Sequence, residues 1–290
     1  MDVCARLVAF PCAENPLRSS QLKRGIVMNV AEWIDLSGKV AHVTGGGNGI
    51  GTGIVRALAA AGAKVAVSDV DFAGATAMAT EVGGHAIKLD VSDREAVDAA
   101  LQETVDVLGS LDIMVNNAGV YLEYGGPVET ITDEMWRTLW SINVDGVFYC
   151  CRKAAEIMRA AGNGGRIINI ASTQAMTPGV GVTYDGSKAA VNMITKTLAL
   201  ELAPDGINVN ALAPGPTWVR GGEAPPLTGE VPPATGEPLA DTVAARISRL
   251  PIGRWGDPID IGKAALFLAS PMSDFVTGIY LPADGGWLVL

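Results

Sequence analysis

From Gly38 onward, short β-branched runs alternate with longer amphipathic segments, and this alternation leaves few folds open to the chain. The strand candidates are 40–43, 64–68, 86–89, 113–115, 166–170, 208–212 and 279–281. Helices are expected near 50–61, 73–82, 93–107, 133–160, 183–203 and 258–269. Most of the strand runs lack polar alternation, as strands do when helices cover both faces of a sheet. Alternating β and α segments with short linkers predict an α/β fold: a doubly wound, seven-stranded parallel sheet with right-handed crossovers. Turn chemistry agrees, since Asp93 can cap the helix that follows it and Pro204-Asp205-Gly206 can end the helix after Tyr184. Residues 36–290 are assigned to this single domain, an ordinary size for one core.

Two stretches fall outside the pattern. Residues 1–35 fit no element and read as a leader, with Met28 a second plausible start and 1–27 expected to be dispensable. Asp2 and the short apolar run 7–10 do not suit a signal peptide. Pro216, Pro225, Pro226, Pro232, Pro233 and Pro238 interrupt the chain after the sixth strand. A loop this long reads as a substrate lid over about 215–250, with a short helix at 239–250 carrying Arg246 and Arg249. The net charge of −10 argues against a nucleic-acid partner. No uncharged apolar run is long enough to span a membrane. The four cysteines show no metal-ligand spacing, so reduced thiols in a cytoplasmic protein and no metal are expected.

Chemistry concentrates in three places. Tyr184 and Lys188 stand four apart, so on a helix they share one face, with Ser172 twelve residues upstream. A neighbouring ammonium favours the phenolate of a group whose ordinary pKa is near 10, the adjustment a proton-transfer residue needs. The first strand runs into Thr44-Gly45-Gly46-Gly47-Asn48-Gly49-Ile50-Gly51, where glycines let backbone N–H groups approach a phosphate at a helix N-terminus. Asp69 ends the second strand and puts a carboxylate 18 residues past Gly51. His42, in the first strand, and His85, near the third, read as core or turn residues, and Asp185 as solvated.

Thr44-Gly45-x-x-x-Gly49-x-Gly51, Asn116-Asn117-Ala118-Gly119, Asn143, Ser172, Tyr184-x-x-x-Lys188 and Pro214-Gly215 together resemble the short-chain dehydrogenase/reductase family, in its order and spacing. The resemblance implies a Rossmann-type domain and hydride transfer between NAD(H) and a secondary alcohol or ketone. It implies a catalytic set of Asn143, Ser172, Tyr184 and Lys188. Tyr184 would be the general acid and base, Lys188 would hold the nicotinamide ribose, Ser172 the substrate oxygen, and Asn143 a water leading to Lys188. Cofactor contacts are implied for Gly45, Gly47, Asn48, Gly49, Ile50, Gly51, Asp69, Asp90, Val91, Asn117, Ala118, Gly119, Tyr184, Lys188, Pro214, Gly215 and Thr217. Asp69 would repel a 2′-phosphate, which selects NAD over NADP.

Gln174, Met176, Val180, Val182 and Trp218 are expected to form a largely apolar substrate wall suited to a small neutral alcohol or ketone, cyclic or aryl-substituted ones included. Arg220 reads as a surface residue. A 3-oxoacyl-[acyl-carrier-protein] reductase and a silent nicotinamide-binding sensor are the competing readings. The helices near 133–160 and 183–203 resemble those through which the family assembles, so a homotetramer or homodimer is expected.

Overall fold

The computed structural model describes residues 29–121, 127–219 and 250–290. The expected leader 1–27, Arg220 and most of the expected lid, with its helix and arginines, lie outside the described residues. A short exposed helix, α1 (Val30–Ile34), buries none of its side chains. Within Ala31–Leu290, the strands are β1 (Val40–Thr44), β2 (Lys64–Asp69), β3 (His85–Lys88), β4 (Ile113–Asn116), β5 (Gly165–Ile170), β6 (Ile207–Pro214) and β7 (Tyr280–Ala283). They form one parallel sheet in the order β3-β2-β1-β4-β5-β6-β7. Val40 lies beside Lys64 on one side of β1, and Ala41 beside Ile113 on the other. The winding therefore reverses between β1 and β4, and a crevice opens there at the carboxyl ends of the strands.

Helices α2 (Gly49–Ala60), α3 (Phe72–Val82) and α8 (Pro258–Ala269) cover one face. Their core includes Ile54, Leu58, Met78, Ile261 and Leu268, packed against Val43, Val65 and Ile168 of the sheet. The other face is covered by α4 (Arg94–Leu108), α6 (Gly146–Ala161) and α7 (Val182–Leu202), through Leu101, Met158, Val191 and Leu202. Helices α2 and α8 cross with almost no room between them. A Cβ on Gly53 would lie 2.0 Å from the Pro258 carbonyl oxygen, and one on Gly262 would lie 2.2 Å from that of Gly53.

The single helix expected over 133–160 is instead broken. Helix α5 (Asp133–Trp140) passes into a π-helical turn, Ser141–Asp145, before α6 begins. The N–H of Gly146 reaches back five residues to the Ser141 carbonyl. Such π-turns gather at functional sites, and this one carries the fully buried Asn143. The periodicity of an apolar stripe does not reveal one inserted residue, because the faces on either side still read as helix. Asp93 caps α4 by accepting the N–H groups of Glu95 and Ala96, as its position suggests.

Alternation along β1 puts Ala41 and Val43 against the first helical layer and His42 against α4 on the other face. His42 is fully buried, its Nδ1 2.7 Å from the Thr104 hydroxyl and its Nε2 2.8 Å from that of Ser68. It is a core histidine, and burial pushes its pKa down to about 3. His85 sits at the surface 2.8 Å from Glu103, in a surface pair and not in the core. Because His42 stays neutral when folded, the unfolded chain alone takes up a proton as pH falls below the ordinary histidine value. The folded state should therefore lose about 1.4 kcal/mol per pH unit between roughly 6.5 and 3 from this residue. Urea titrations of His42→Asn across that range should show a shallower acid slope by about that amount, and an unchanged slope would contradict the assignment.

Candidate active site

The crevice beside β1 is a cleft of about 490 Å³. Asp69 and Asp90 lie at one end, Gly45, Asn48, Gly49 and Ile50 in the middle, and Ser172, Tyr184 and Lys188 at the other end. Its floor is set by the glycine turn. Gly45 has φ of +59° and leaves no space for a side chain: a Cβ there would lie 2.9 Å from Ala118 Cα. At Gly51 a Cβ would lie 2.0 Å from the Gly45 carbonyl oxygen. The turn is stitched to the end of β4. Thr44 Oγ1 accepts the N–H groups of Asn117 and Ala118, both at 3.1 Å. The Asn117 amide donates back to the Thr44 and Gly45 carbonyls at 3.0 and 2.8 Å.

Asp69 helps shape the same turn, with Oδ2 accepting the Gly47 N–H and Oδ1 that of Asp71, both at 3.0 Å. Asp90 accepts the N–H and hydroxyl of Ser92. Its neighbour Val91 is buried. Both Asp90 and Val91 line the cleft, with Ala118, Gly119, Pro214 and Gly215. Gly47, Gly51 and Thr217 do not line it. Gly47 and Gly51 are close-packing positions in the turn, and Thr217 donates its hydroxyl to the Gly215 carbonyl at 3.0 Å. Thr217 bridges to Gly256, and Trp218 donates its N–H to the Gly256 carbonyl, so this stretch is a strap.

Lys188 is 4% exposed, and its Nζ donates to the Ile170 carbonyl at 2.9 Å, fixing α7 to the end of β5. The same Nζ lies 5.7 Å from the centre of the Tyr184 ring, so the four-residue spacing does bring the two together. Ser172 hydrogen-bonds the Tyr184 phenol, accepts the Gln174 N–H, and has its own carbonyl held by the Tyr280 hydroxyl at 2.7 Å. Asn143 is committed to backbone: its Oδ1 accepts the Val120 N–H and its Nδ2 donates to the Val120 carbonyl, both at 2.8 Å. The same Nδ2 donates to the Ser187 hydroxyl, which donates to the Tyr184 carbonyl. The Asn143 side chain thus shapes the wall at Val120.

The electrostatics differ from the expectation in one respect. Burial pushes the Tyr184 phenol up to about 12, the Ser172 hydrogen bond opposes this, and Asp185 and Tyr121 add to it. Burial likewise pulls Lys188 down to about 8. In the protein alone, burial is therefore the largest influence on the Tyr184 phenol.

The sequence reading also missed the cleft residues Val120, Ile142 and Ile170 and the support from Tyr280 and Ser187. Ser187, lying between Tyr184 and Lys188, was findable. The expected apolar wall is dispersed. Gln174 is buried, Met176 and Val182 are exposed, and Val180 and Val182 line a separate open groove with Pro178 and Gly186. Trp218 packs edge-on against Trp255.

A family model described as enoyl-(acyl carrier protein) reductase matches residues 45–288. A galactitol 2-dehydrogenase of Agrobacterium fabrum is 38% identical over 87% of this chain and 99% of its own. The chain belongs to the short-chain dehydrogenase/reductase family. Among solved structures, a putative short-chain alcohol dehydrogenase from Sinorhizobium meliloti superposes with a TM-score of 0.78 at 36% identity, covering 89% of this chain and 99% of that one. A gluconate 5-dehydrogenase from Burkholderia cenocepacia in complex with NADP and tartrate gives 0.78 at 34%, covering 90% and 100%. As a short-chain dehydrogenase/reductase, the chain is an oxidoreductase of alcohol and carbonyl groups that uses a nicotinamide cofactor. The cleft fits such a dinucleotide, because Gly45, Asn48, Gly49 and Ile50 line it at the N-terminus of α2, where a helix favours phosphate. Among the described residues there is no metal-binding cluster, and no helix is long and apolar enough to cross a membrane.

Holding Lys188 charged in this burial opposes folding until pH rises through about 8 toward 10.5. Lys188→Met should therefore melt higher at pH 7, by roughly 1–3 kcal/mol. The gain should fade above pH 8 in thermal scans, while turnover is lost.

Proposed function

We propose that this chain interconverts a small secondary alcohol and its ketone using NAD(H), with Tyr184 moving the proton. The observation that carries the reading is the junction of Ser172, Tyr184 and Lys188 in one cleft that also runs past the glycine turn to Asp69. The nicotinamide supplies or accepts the hydride when bound. Ser172 orients the substrate oxygen by hydrogen bonding, next to the phenol it already touches. Tyr184 takes the hydroxyl proton in oxidation and returns it in reduction. Lys188, set against Ile170, places its remaining donors toward the ribose side of the cleft and stabilises the phenolate once it forms. Asn143 holds the Val120 wall and, through Ser187, the first turn of α7.

Asp69 supports NAD as the cofactor: its carboxylate stands at the adenosine end, and Lys188 is the only cation among the described residues lining the cleft. Asp90 and Val91 border the adenine side, and Asn117, Ala118, Gly119, Pro214 and Gly215 the remainder. Polyols are the first substrates to test, since similar proteins are named for galactitol and gluconate. The acyl-carrier-protein description of the matching family model favours a second reading, reduction of acyl thioesters. An acidic carrier would meet a chain of net charge −10, which disfavours docking.

A symmetric tetramer or dimer is supported by the apolar residues Trp136, Phe148, Met193 and Leu200, exposed on α5, α6 and α7. The buried free thiols of Cys150 and Cys151 suit a reducing cytoplasm.

A panel of polyols, simple alcohols, ketones and acyl thioesters, followed by nicotinamide absorbance with both cofactors, tests the assignment. Alcohol turnover above thioester turnover is expected. Tyr184→Phe should lower kcat by about 10²–10⁴ while NADH binding stays within a few-fold; unchanged kcat would refute the proton role. Asp69→Ala should narrow the preference for NAD over NADP by at least about tenfold, or 1.4 kcal/mol. A wild-type enzyme faster with NADP would overturn the cofactor choice.

A further inference from the structure

Ser172 and Tyr184, which must grip one substrate oxygen together, are joined by a single loop. Its outgoing leg is well held. Thr173–Ala175 forms a 3₁₀ turn, Ser172 Oγ accepts the Gln174 N–H, and the Ser172 carbonyl accepts the Tyr280 hydroxyl. The returning leg, Pro178–Gly181, has no regular structure to fix it and contains two glycines. There the Asp185 carboxylate accepts the Gly179 N–H at 2.9 Å and the Val180 N–H at 3.4 Å, one on each oxygen. Asp185 also belongs to the first turn of α7, beside Tyr184. Its side chain, expected to be solvated, is partly buried and lines the groove formed by Pro178, Val180 and Gly186.

We propose that Asp185 is a positioning residue for the reaction: its carboxylate latches the Pro178–Gly181 leg to α7 and so holds Ser172 and Tyr184 in register for the substrate oxygen. The inference rests on the alcohol–ketone reading of the same site. Each carboxylate oxygen takes one of the two adjacent N–H groups, and a charged acceptor makes the stronger bonds. The same negative charge favours the protonated phenol next to it. The groups facing Tyr184 are Lys188 and Asp185 from α7, Ser172 from the loop after β5 and Tyr121 from the loop after β4.

Two variants separate the latch from the charge. Asp185→Asn keeps an oxygen for the Gly179 N–H but loses the charge, and Asp185→Ala loses both. Hydrogen exchange should show the Gly179 and Val180 amides exchanging at least about tenfold faster in Asp185→Ala, with Asp185→Asn retaining Gly179 protection. In steady-state alcohol oxidation, Asp185→Ala should raise KM for the alcohol about tenfold, with Kd for NADH unchanged. Asp185→Asn should restore most of KM and move the alkaline rise of kcat to lower pH. Unchanged exchange at both amides, or an unchanged KM in Asp185→Ala, would overturn the latch. Equal loss of alcohol and NADH binding in both variants would mean a general structural role and would also overturn it. Wild-type protein that turns over no alcohol would instead defeat the functional reading, and the exchange experiment would still decide whether the latch exists.

Discussion

A buried ammonium bound to one carbonyl at a strand end sets the orientation of the catalytic half of this domain. Lys188 reaches through α7 to the Ile170 oxygen, and nothing else at that junction carries charge so far from solvent. A donor of this strength fixes the rotation of α7 about its own axis. Once that rotation is set, Tyr184 faces the cleft, and Ser172, two residues beyond Ile170, meets it. The price is the desolvation of a cation, visible in a lysine whose pKa falls to about 8. Stability is given up at the point where chemistry is gained.

The other half depends on neutral hydrogen bonds. Thr44 and Asn117 tie the ends of β1 and β4 across the place where the winding reverses. The cleft is thus closed at its base by backbone and side-chain amides. Behind it, a buried relay of Asn116, Asn169 and Thr195 joins β4, β5 and α7 at 2.7 and 2.9 Å. Such a network ties three elements together in the interior.

Much of this was legible in the sequence, for identifiable reasons. All seven strands were found, largely because strands buried on both faces appear as apolar, β-branched runs, and no strand end lies more than two residues from its expected position. The pairing of Tyr184 with Lys188 followed from helical spacing alone. Features set by one inserted residue or by a long-range contact stayed hidden. The π-turn at Asn143 leaves the apolar stripe intact on either side, so periodicity passes over it. Asp185 looked solvated because only the loop folding back from Pro178 brings two N–H groups to it. The net rise of the Tyr184 pKa on burial stayed hidden because spacing gives proximity but not dielectric.

The crossing of α2 and α8 has a consequence at a distance. Gly53 and Gly262 bring the two helix backbones into contact, and α8 starts immediately after Gly256, which pairs with the Thr217–Trp218 strap. Val219, next along that strap, faces Gly49 from across the cleft. A methyl group added at the crossing would have to lever α8 outward and carry the strap with it. The gap into which a dinucleotide slides is therefore gauged by two hydrogen atoms on the far side of the sheet's helical cover, at positions that touch no ligand.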